Sequence, residues 1–351
     1  MSGPGDVRAM VLRQLGGDLE VERFPEPQVG PGAVLATVHG AGICGTDMHL
    51  QQGRLPIPLP LVLGHEAVGR VAALGDGVTT DATGAALAVG DRVSWASNIP
   101  CGGCFYCTEV EEPSLCETRR VYGINQGVDA APQPSGAWAS QMHLQPGSTI
   151  VRLPDETGFD DVIALGCAGP TATHAVLGLA RPQKGDTVVV QGSGPVGLAC
   201  AMLATVCGAD QVIIVGGPAG RLETARRLGI GRAHIDIFEN EDPAARVEQV
   251  LAETPGGRGA DLVIEATGVP AAVAEGMDMA RRGGTLLVVG QYTDHGVTPL
   301  NPHHVTHKQL HVQGSWAFSP QDHIRYVQSV DRKSTRLNSS HRSLSRMPSS
   351  A

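Results

Sequence analysis

Hydrophobic and polar positions change their spacing partway along the chain. In the first part, from Val7 to about Pro154, short runs such as Ala33-Val34-Leu35-Ala36-Thr37-Val38 and Ala67-Val68-Gly69-Arg70-Val71 are broken by Gly and Pro. Runs of this length and period predict strands, so residues 1–160 are expected to form a strand-rich domain. From about Ile163 to Val289 the texture differs. Apolar strands at Thr187–Gln191, Gln211–Val215, Asp261–Glu265 and Gly284–Val289 alternate with helical patterns. That alternation predicts an α/β domain with a doubly wound parallel sheet over residues 161–300. Residues 301–330 contain a helix start near Asn301 and a strand-like Gln309–Gly314.

The final stretch has no helix or strand period. Asp331-Arg-Lys-Ser-Thr-Arg-Leu-Asn-Ser-Ser-His341 and Ser345-Arg-Met-Pro-Ser-Ser-Ala351 are rich in Ser, Arg and Lys and look like translated short-read sequencing adapter. Residues 331–351 are therefore read as a non-native tail.

Bulk properties narrow the function classes. A chain of 351 residues is too long for one small core and suggests two domains. A net charge of −9 gives no basic footprint for nucleic acid. No apolar run approaches a membrane span, and the N-terminus lacks a secretory pattern. Eight cysteines in a chain of this length, six of them at metal-ligand spacings, point to a reducing cytoplasm and not to a disulfide framework.

The candidate chemistry lies in three places. Ile43-Cys44-Gly45-Thr46-Asp47-Met48-His49 and Gly64-His65-Glu66 bring a thiolate and an imidazole within about twenty residues, half of a zinc shell. Cys167, in Gly166-Cys167-Ala168, is the third ligand candidate, and Gly64 and Gly166 let the backbone approach closely. Asp47 and Glu66 are candidates to hold the free N–H of His65. Cys101-Gly-Gly-Cys104-Phe-Tyr-Cys107 followed by Cys116 can close a four-thiolate shell, the mark of a structural zinc. The third place is Gly192-Ser193-Gly194-Pro195-Val196-Gly197, directly after a strand and opening a helix, which predicts a dinucleotide-binding turn. At the end of the next strand, where an NAD site usually carries Asp or Glu, the chain reads Val215-Gly216-Gly217-Pro218. Gly216 brings no charge against a 2′-phosphate, and Arg221 is within reach of the ribose or that phosphate. No Ser-Arg pair follows the strand, so NAD or NADP stays open, with a tilt towards NADP or dual use. The histidines 303, 304, 307 and 311 lack an adjacent carboxylate or thiol and read as a solvated loop and helix start.

Cys44-Gly45-Thr46-Asp47-x-His49, Gly64-His65-Glu66 and Gly166-Cys167 together resemble the zinc-dependent alcohol dehydrogenases of the medium-chain dehydrogenase/reductase superfamily. The similarity runs from about Arg8 to about Val330. It implies a GroES-like, mostly-β catalytic domain with a structural-zinc lobe at about 95–120, and a Rossmann nucleotide-binding domain. By the same resemblance the chain returns to the catalytic domain over 301–330, and that return is truncated. In the family the gap before the last lobe cysteine is usually one residue shorter, so a loop between Thr108 and Leu115 should be enlarged.

The implied activity is reversible oxidation of an alcohol to an aldehyde or ketone with NAD or NADP. Zinc on Cys44, His65 and Cys167 would act as Lewis acid, Glu66 would visit the metal during ligand exchange, and Thr46 with His49 would relay the proton. Thr171 and Val196 fall where the family packs residues around the nicotinamide. The segment Cys107–Arg120 resembles bacterial dehydrogenases of bulky secondary or cyclic alcohols. The family forms homodimers and homotetramers, and Gly284–Val289 is expected as the edge strand that could pair across a two-fold. The alternatives are a zinc-free quinone or enone reductase, which the cysteine sets disfavour, and an inactive nucleotide- and zinc-binding protein, which the truncation makes a description of this chain.

Overall fold

The computed structural model describes residues 6–130 and 132–331. The chain divides into two units, one running to Cys167 and resumed from Ser319, the other Ala168–Phe318. Asp331 ends the last helix, and the rest of the adapter-like tail lies outside the described residues.

The first unit is built on a five-stranded antiparallel sheet. Its order is Ile150–Arg152, Arg92–Trp95, Ala67–Leu74, Val34–Ala41 and Gln141–Leu144. A three-stranded sheet of Leu19–Pro25, Asp6–Leu12 and Leu61–Val62 accompanies it. Alternate residues such as Val34, Ala36, Val71, Val93 and Trp95 turn inward to one core. Fully burying each large apolar side chain contributes about 1.5–3 kcal/mol. The segment from Ser319 adds the helix Pro320–Asp331 to this unit. Ile324, Val327 and Val330 are buried at the helical spacing of three, and the Tyr326 hydroxyl donates to the Val162 carbonyl at 2.6 Å.

The second unit is a six-stranded, all-parallel sheet. Its order is Ala233–Asp236, Gln211–Gly216, Thr187–Gln191, Ala260–Glu265, Ala280–Val288 and His311–Gly314. Val188, Val189 and Val190 are wholly buried, because helices cover both faces of such a sheet and the strand has no polar side. The four expected strands are all present. Ala233–Asp236 lacked a visible signal: it has four residues, of which Ala233 and His234 are only half-buried.

The edge differs from expectation. Gly284–Val289 is flanked on both sides, with Thr285 opposite Leu262 and His311. The edge on that side is His311–Gly314, whose four residues are all exposed. Residues 301–318, expected with the returning segment, lie in the second unit and the return begins at Ser319, while residues 161–167, expected in the second domain, lie in the first unit.

Candidate metal and nucleotide sites

The helix Gly45–Gln51 carries the first group of site residues. Its N-cap is Cys44, whose backbone N–H is accepted by Asp47 Oδ2 at 2.8 Å, one half of a capping box. Leu50 packs into a cluster with Leu12, Leu61 and Leu63, which fixes the helix rotation. Asp47 and Leu50, three apart, thus face inward, while Thr46 and His49 share an adjacent, partly exposed face. Thr46 Oγ1 is 3.8 Å from Cys44 Sγ.

His65 follows Gly64, which sits at φ +93° against Trp138; a Cβ there would lie 2.5 Å from the indole Cδ1. His65 Nδ1 pairs with Asp47 Oδ1 at 3.1 Å. Asp47, and not Glu66, therefore fixes the ring, and it does so while capping the helix that presents Thr46 and His49. The other ring nitrogen, Nε2, is buried without a hydrogen-bond partner, 4.0 Å from Glu66 Oε1.

Cys167 completes the group. Ligand atoms of Cys44, His65, Glu66 and Cys167 all lie within 4.8 Å of one another. Glu66 is seated between two glycines. A Cβ on Gly42 would overlap its carboxylate, and one on Gly166 would come within 3.0 Å of it. Gly42 had no motif to announce it. Its carbonyl accepts the Trp138 indole N–H at 2.9 Å, so Trp138 braces both Gly42 and Gly64, a role visible only in three dimensions.

Electrostatics in this cluster are strongly coupled. Hydrogen bonding with Cys167 holds the Cys44 thiol well below its ordinary range, against burial and with help from His65. The same bond, with burial, pushes Cys167 well above it. Burial opposes charge on His65, but the Asp47 carboxylate and both thiols outweigh it and raise its pKa. Glu66 is pushed up to about 8, first by burial and then by the Cys44 sulfur. Two thiols, an orphaned imidazole nitrogen and a carboxylate at these separations fit zinc, whose bonds of ~2.0–2.3 Å place tetrahedral ligands about 3.3–3.8 Å apart.

The second cysteine set also converges. Sγ atoms of Cys101, Cys104, Cys107 and Cys116 lie within 4.8 Å of one another, with Cys104 and Cys107 sulfurs 3.6 Å apart, too far for a disulfide. Backbone N–H groups point at the sulfurs: Gly103 donates to Cys101 and Cys101 to Cys116. The Gly103 contact leads in lowering Cys101 to about 6, which favours the thiolate that a metal needs. Between Cys107 and Cys116 the chain turns with Glu111 at φ +57°, and all four sulfurs meet. Among the described residues the histidines of 303–311 join no such group: His303 stacks on His307, and His304 Nδ1 is 3.0 Å from Asp278.

In the second unit the strand Thr187–Gln191 runs into Gly192 at φ +113°, and the helix Pro195–Val206 is capped by Gly194. A Cβ on Gly192 would lie 2.8 Å from Ala266 O, and one on Gly197 would overlap Gly192 O. Around Gly194 the space is open, as a pyrophosphate at a helix N-terminus requires. Gly216 has a packing reason of its own. A Cβ there would come within 2.8 Å of Ser193 N and Oγ, and Ser193 Oγ donates to Gly217 O at 2.9 Å. The turn and the end of the neighbouring strand are thus too close for any carboxylate at 216. Arg221 lies in the first turn of the helix Ala219–Leu228, Val196 in the first turn after Gly194, and Thr171 in the helix Ala168–Ala172.

Comparisons with known proteins agree with this geometry. Residues 30–155 match the alcohol dehydrogenase GroES-like domain, and residues 195–332 match the zinc-binding dehydrogenase domain. The chain is 34% identical over 316 residues to 5-exo-hydroxycamphor dehydrogenase of Pseudomonas putida, covering 90% of this chain and 85% of that one. An alcohol dehydrogenase structure from Thermotoga maritima aligns with TM-score 0.89 and 32% identity, over 95% of this chain and 91% of that one. A structure from Sinorhizobium meliloti 1021, described as a zinc-binding dehydrogenase bound to NADP, aligns with TM-score 0.79 and 28% identity, over 93% and 88%. The chain is accordingly an oxidoreductase that uses zinc and NAD(P) on small-molecule alcohol or carbonyl substrates. It belongs to the zinc-dependent alcohol dehydrogenases of the medium-chain dehydrogenase/reductase superfamily.

Proposed function

We propose that Cys44, His65 and Cys167 would hold the catalytic zinc with Glu66 as a further, exchangeable ligand, and that Cys101, Cys104, Cys107 and Cys116 would hold a structural one. The observation that carries the reading is the buried, unpartnered Nε2 of His65 beside two thiols and a carboxylate. Bound zinc supplies a Lewis acid that makes an alcohol hydroxyl more acidic, and the nicotinamide supplies the hydride acceptor. The remaining work falls to the chain. Asp47 orients His65, and the Gly42–Gly166 seat holds Glu66 against the metal ligands. Thr46, beside Cys44 and partly exposed, accepts the substrate proton, and His49, one turn further on the same face, passes it to water. Gly192, Gly194 and Gly197 receive the pyrophosphate of NAD or NADP, with Gly216 and Arg221 towards its adenosine and Thr171 and Val196 towards its nicotinamide.

A secondary or cyclic alcohol is the preferred substrate class. The named activity of the hydroxycamphor relative supports this, as does a chain with only five Phe and four Tyr to build an aromatic slot. The exposed strand His311–Gly314 supports a homodimer or homotetramer formed by edge pairing. Among the described residues no helix is long and apolar enough to cross a membrane. Six of the eight cysteines gather in two metal-ligand groups and not in disulfides, which supports a reducing cytoplasm.

The test is Thr46→Ala. It should keep zinc and cofactor binding and lower the rate of alcohol oxidation by about 10²-fold. Unchanged turnover would remove Thr46 from the relay.

A further inference from the structure

The second unit buries a carboxylate that the zinc chemistry does not use. Glu265 ends the strand Ala260–Glu265 and is 0% exposed. A buried carboxylate is costly unless donors surround it. Here Oε1 accepts the Thr267 N–H at 2.7 Å, the Thr267 hydroxyl at 2.6 Å and the Gly268 N–H at 2.9 Å. Oε2 receives the Gln291 amide at 3.4 Å. The Thr267 hydroxyl also accepts the Val269 N–H at 2.9 Å. On the backbone side, Glu265 O accepts the N–H groups of Val289 at 2.9 Å and Gly290 at 3.0 Å. Gly290 is pressed onto the same point: a Cβ there would lie 2.9 Å from Oε1 and 2.8 Å from Thr267 N.

One residue therefore ties together the loops that leave two adjacent strands at their carboxyl ends. Those loops adjoin the dinucleotide turn, since Ala266 N–H donates to Gln191 O at 2.8 Å. Strand order puts Gln211–Gly216 on one side of the turn-bearing strand and Ala260–Glu265 on the other. In such a sheet a dinucleotide lies across the crevice, one half on each side of the turn. With the adenosine over Gly216, the nicotinamide half falls over the loops that Glu265 clamps.

We propose that Glu265 is a positioning residue, holding the Thr267–Gly268 and Gly290–Gln291 loops as the support for the nicotinamide half of the cofactor. This rests on the reading of Gly192–Gly197 as the cofactor turn. A carboxylate suits the place because its two oxygens accept, and the Thr267, Gly268 and Gln291 groups bonded to them all donate.

The experiment measures dissociation constants of the reduced dinucleotide that the wild type holds and of ADP-ribose (with its 2′-phosphate if that is NADPH). Wild type, Glu265→Leu and Gly290→Ala are compared in the full chain. Glu265→Leu keeps the bulk and removes both acceptor oxygens, and Gly290→Ala wedges the loops apart without changing charge. The expected result is dinucleotide affinity weakened about tenfold or more in both variants, with ADP-ribose affinity within about twofold of wild type and zinc content unchanged. Unchanged dinucleotide affinity would overturn the assignment. Equal weakening of both ligands would also overturn it, by showing a general folding role. A wild type that binds neither ligand would overturn the cofactor turn itself, and this proposal with it.

Discussion

Asp47 joins local structure to metal chemistry in one side chain, and removing it tests both. Asp47→Ala takes the acceptor from two donors, the Cys44 backbone N–H and the His65 ring at Nδ1. The aspartate is 1% exposed, so water cannot readily replace it. Each buried donor left unsatisfied costs about 1–3 kcal/mol, which gives about 2–6 kcal/mol of lost stability. Freed from Asp47, the His65 ring also loses its tautomer and orientation, and loss of such an outer partner weakens metal binding by about 10–100-fold. Asp47→Asn keeps one acceptor oxygen and should fall between wild type and Ala. The assay is chelator competition with metal analysis, resolving a tight and a weakened zinc in the same chain. The expected outcome is a weakened site at Cys44–His65–Cys167 with the four-cysteine site unaffected. If catalytic zinc affinity stays within about twofold while stability falls, Asp47 serves only as a helix cap.

Two further outcomes follow from the geometry. Cys116→Ser should lower zinc content from about two to about one per chain, because a four-ligand structural shell does not survive loss of one thiolate; retention of both ions would refute the lobe assignment. His323 is 2% exposed, paired through Nε2 with Ser94 Oγ at 3.1 Å, and burial lowers its pKa to about 4. The unfolded chain, with an ordinary value of ~6.5, binds this proton first, so stability falls as pH drops below about 6.5. The cost approaches about 3 kcal/mol near pH 4, and His323→Gln should show a correspondingly shallower acid decline in denaturant midpoints; superimposable profiles would refute it.

Much of the site was legible in the sequence because its parts are local. Cysteine spacing in the lobe, the Gly192–Gly197 turn and the Cys44–His49 helix start are set by a few bonds of backbone geometry, and spacing along the chain survives folding unchanged. The apolar runs of the parallel strands were equally plain, since a strand buried on both faces has no polar positions to confuse the period. Other features depended on which surfaces meet. Either Asp47 or Glu66 could have held His65, and only the rotation of the Gly45–Gln51 helix, fixed by Leu50 in its cluster, gave that place to Asp47. Gly42 and Trp138 carried no motif, because Gly42 leaves room for Glu66 and Trp138 braces Gly42 and Gly64 from a distant stretch of chain. Gly216, read for the charge it leaves out, has a steric reason as well, with Ser193 N and Oγ too near for a Cβ. The sheet edge moved to His311–Gly314 because pairing is decided between strands and not within one. Local spacing names the groups that can do chemistry; long-range packing decides which of them touch.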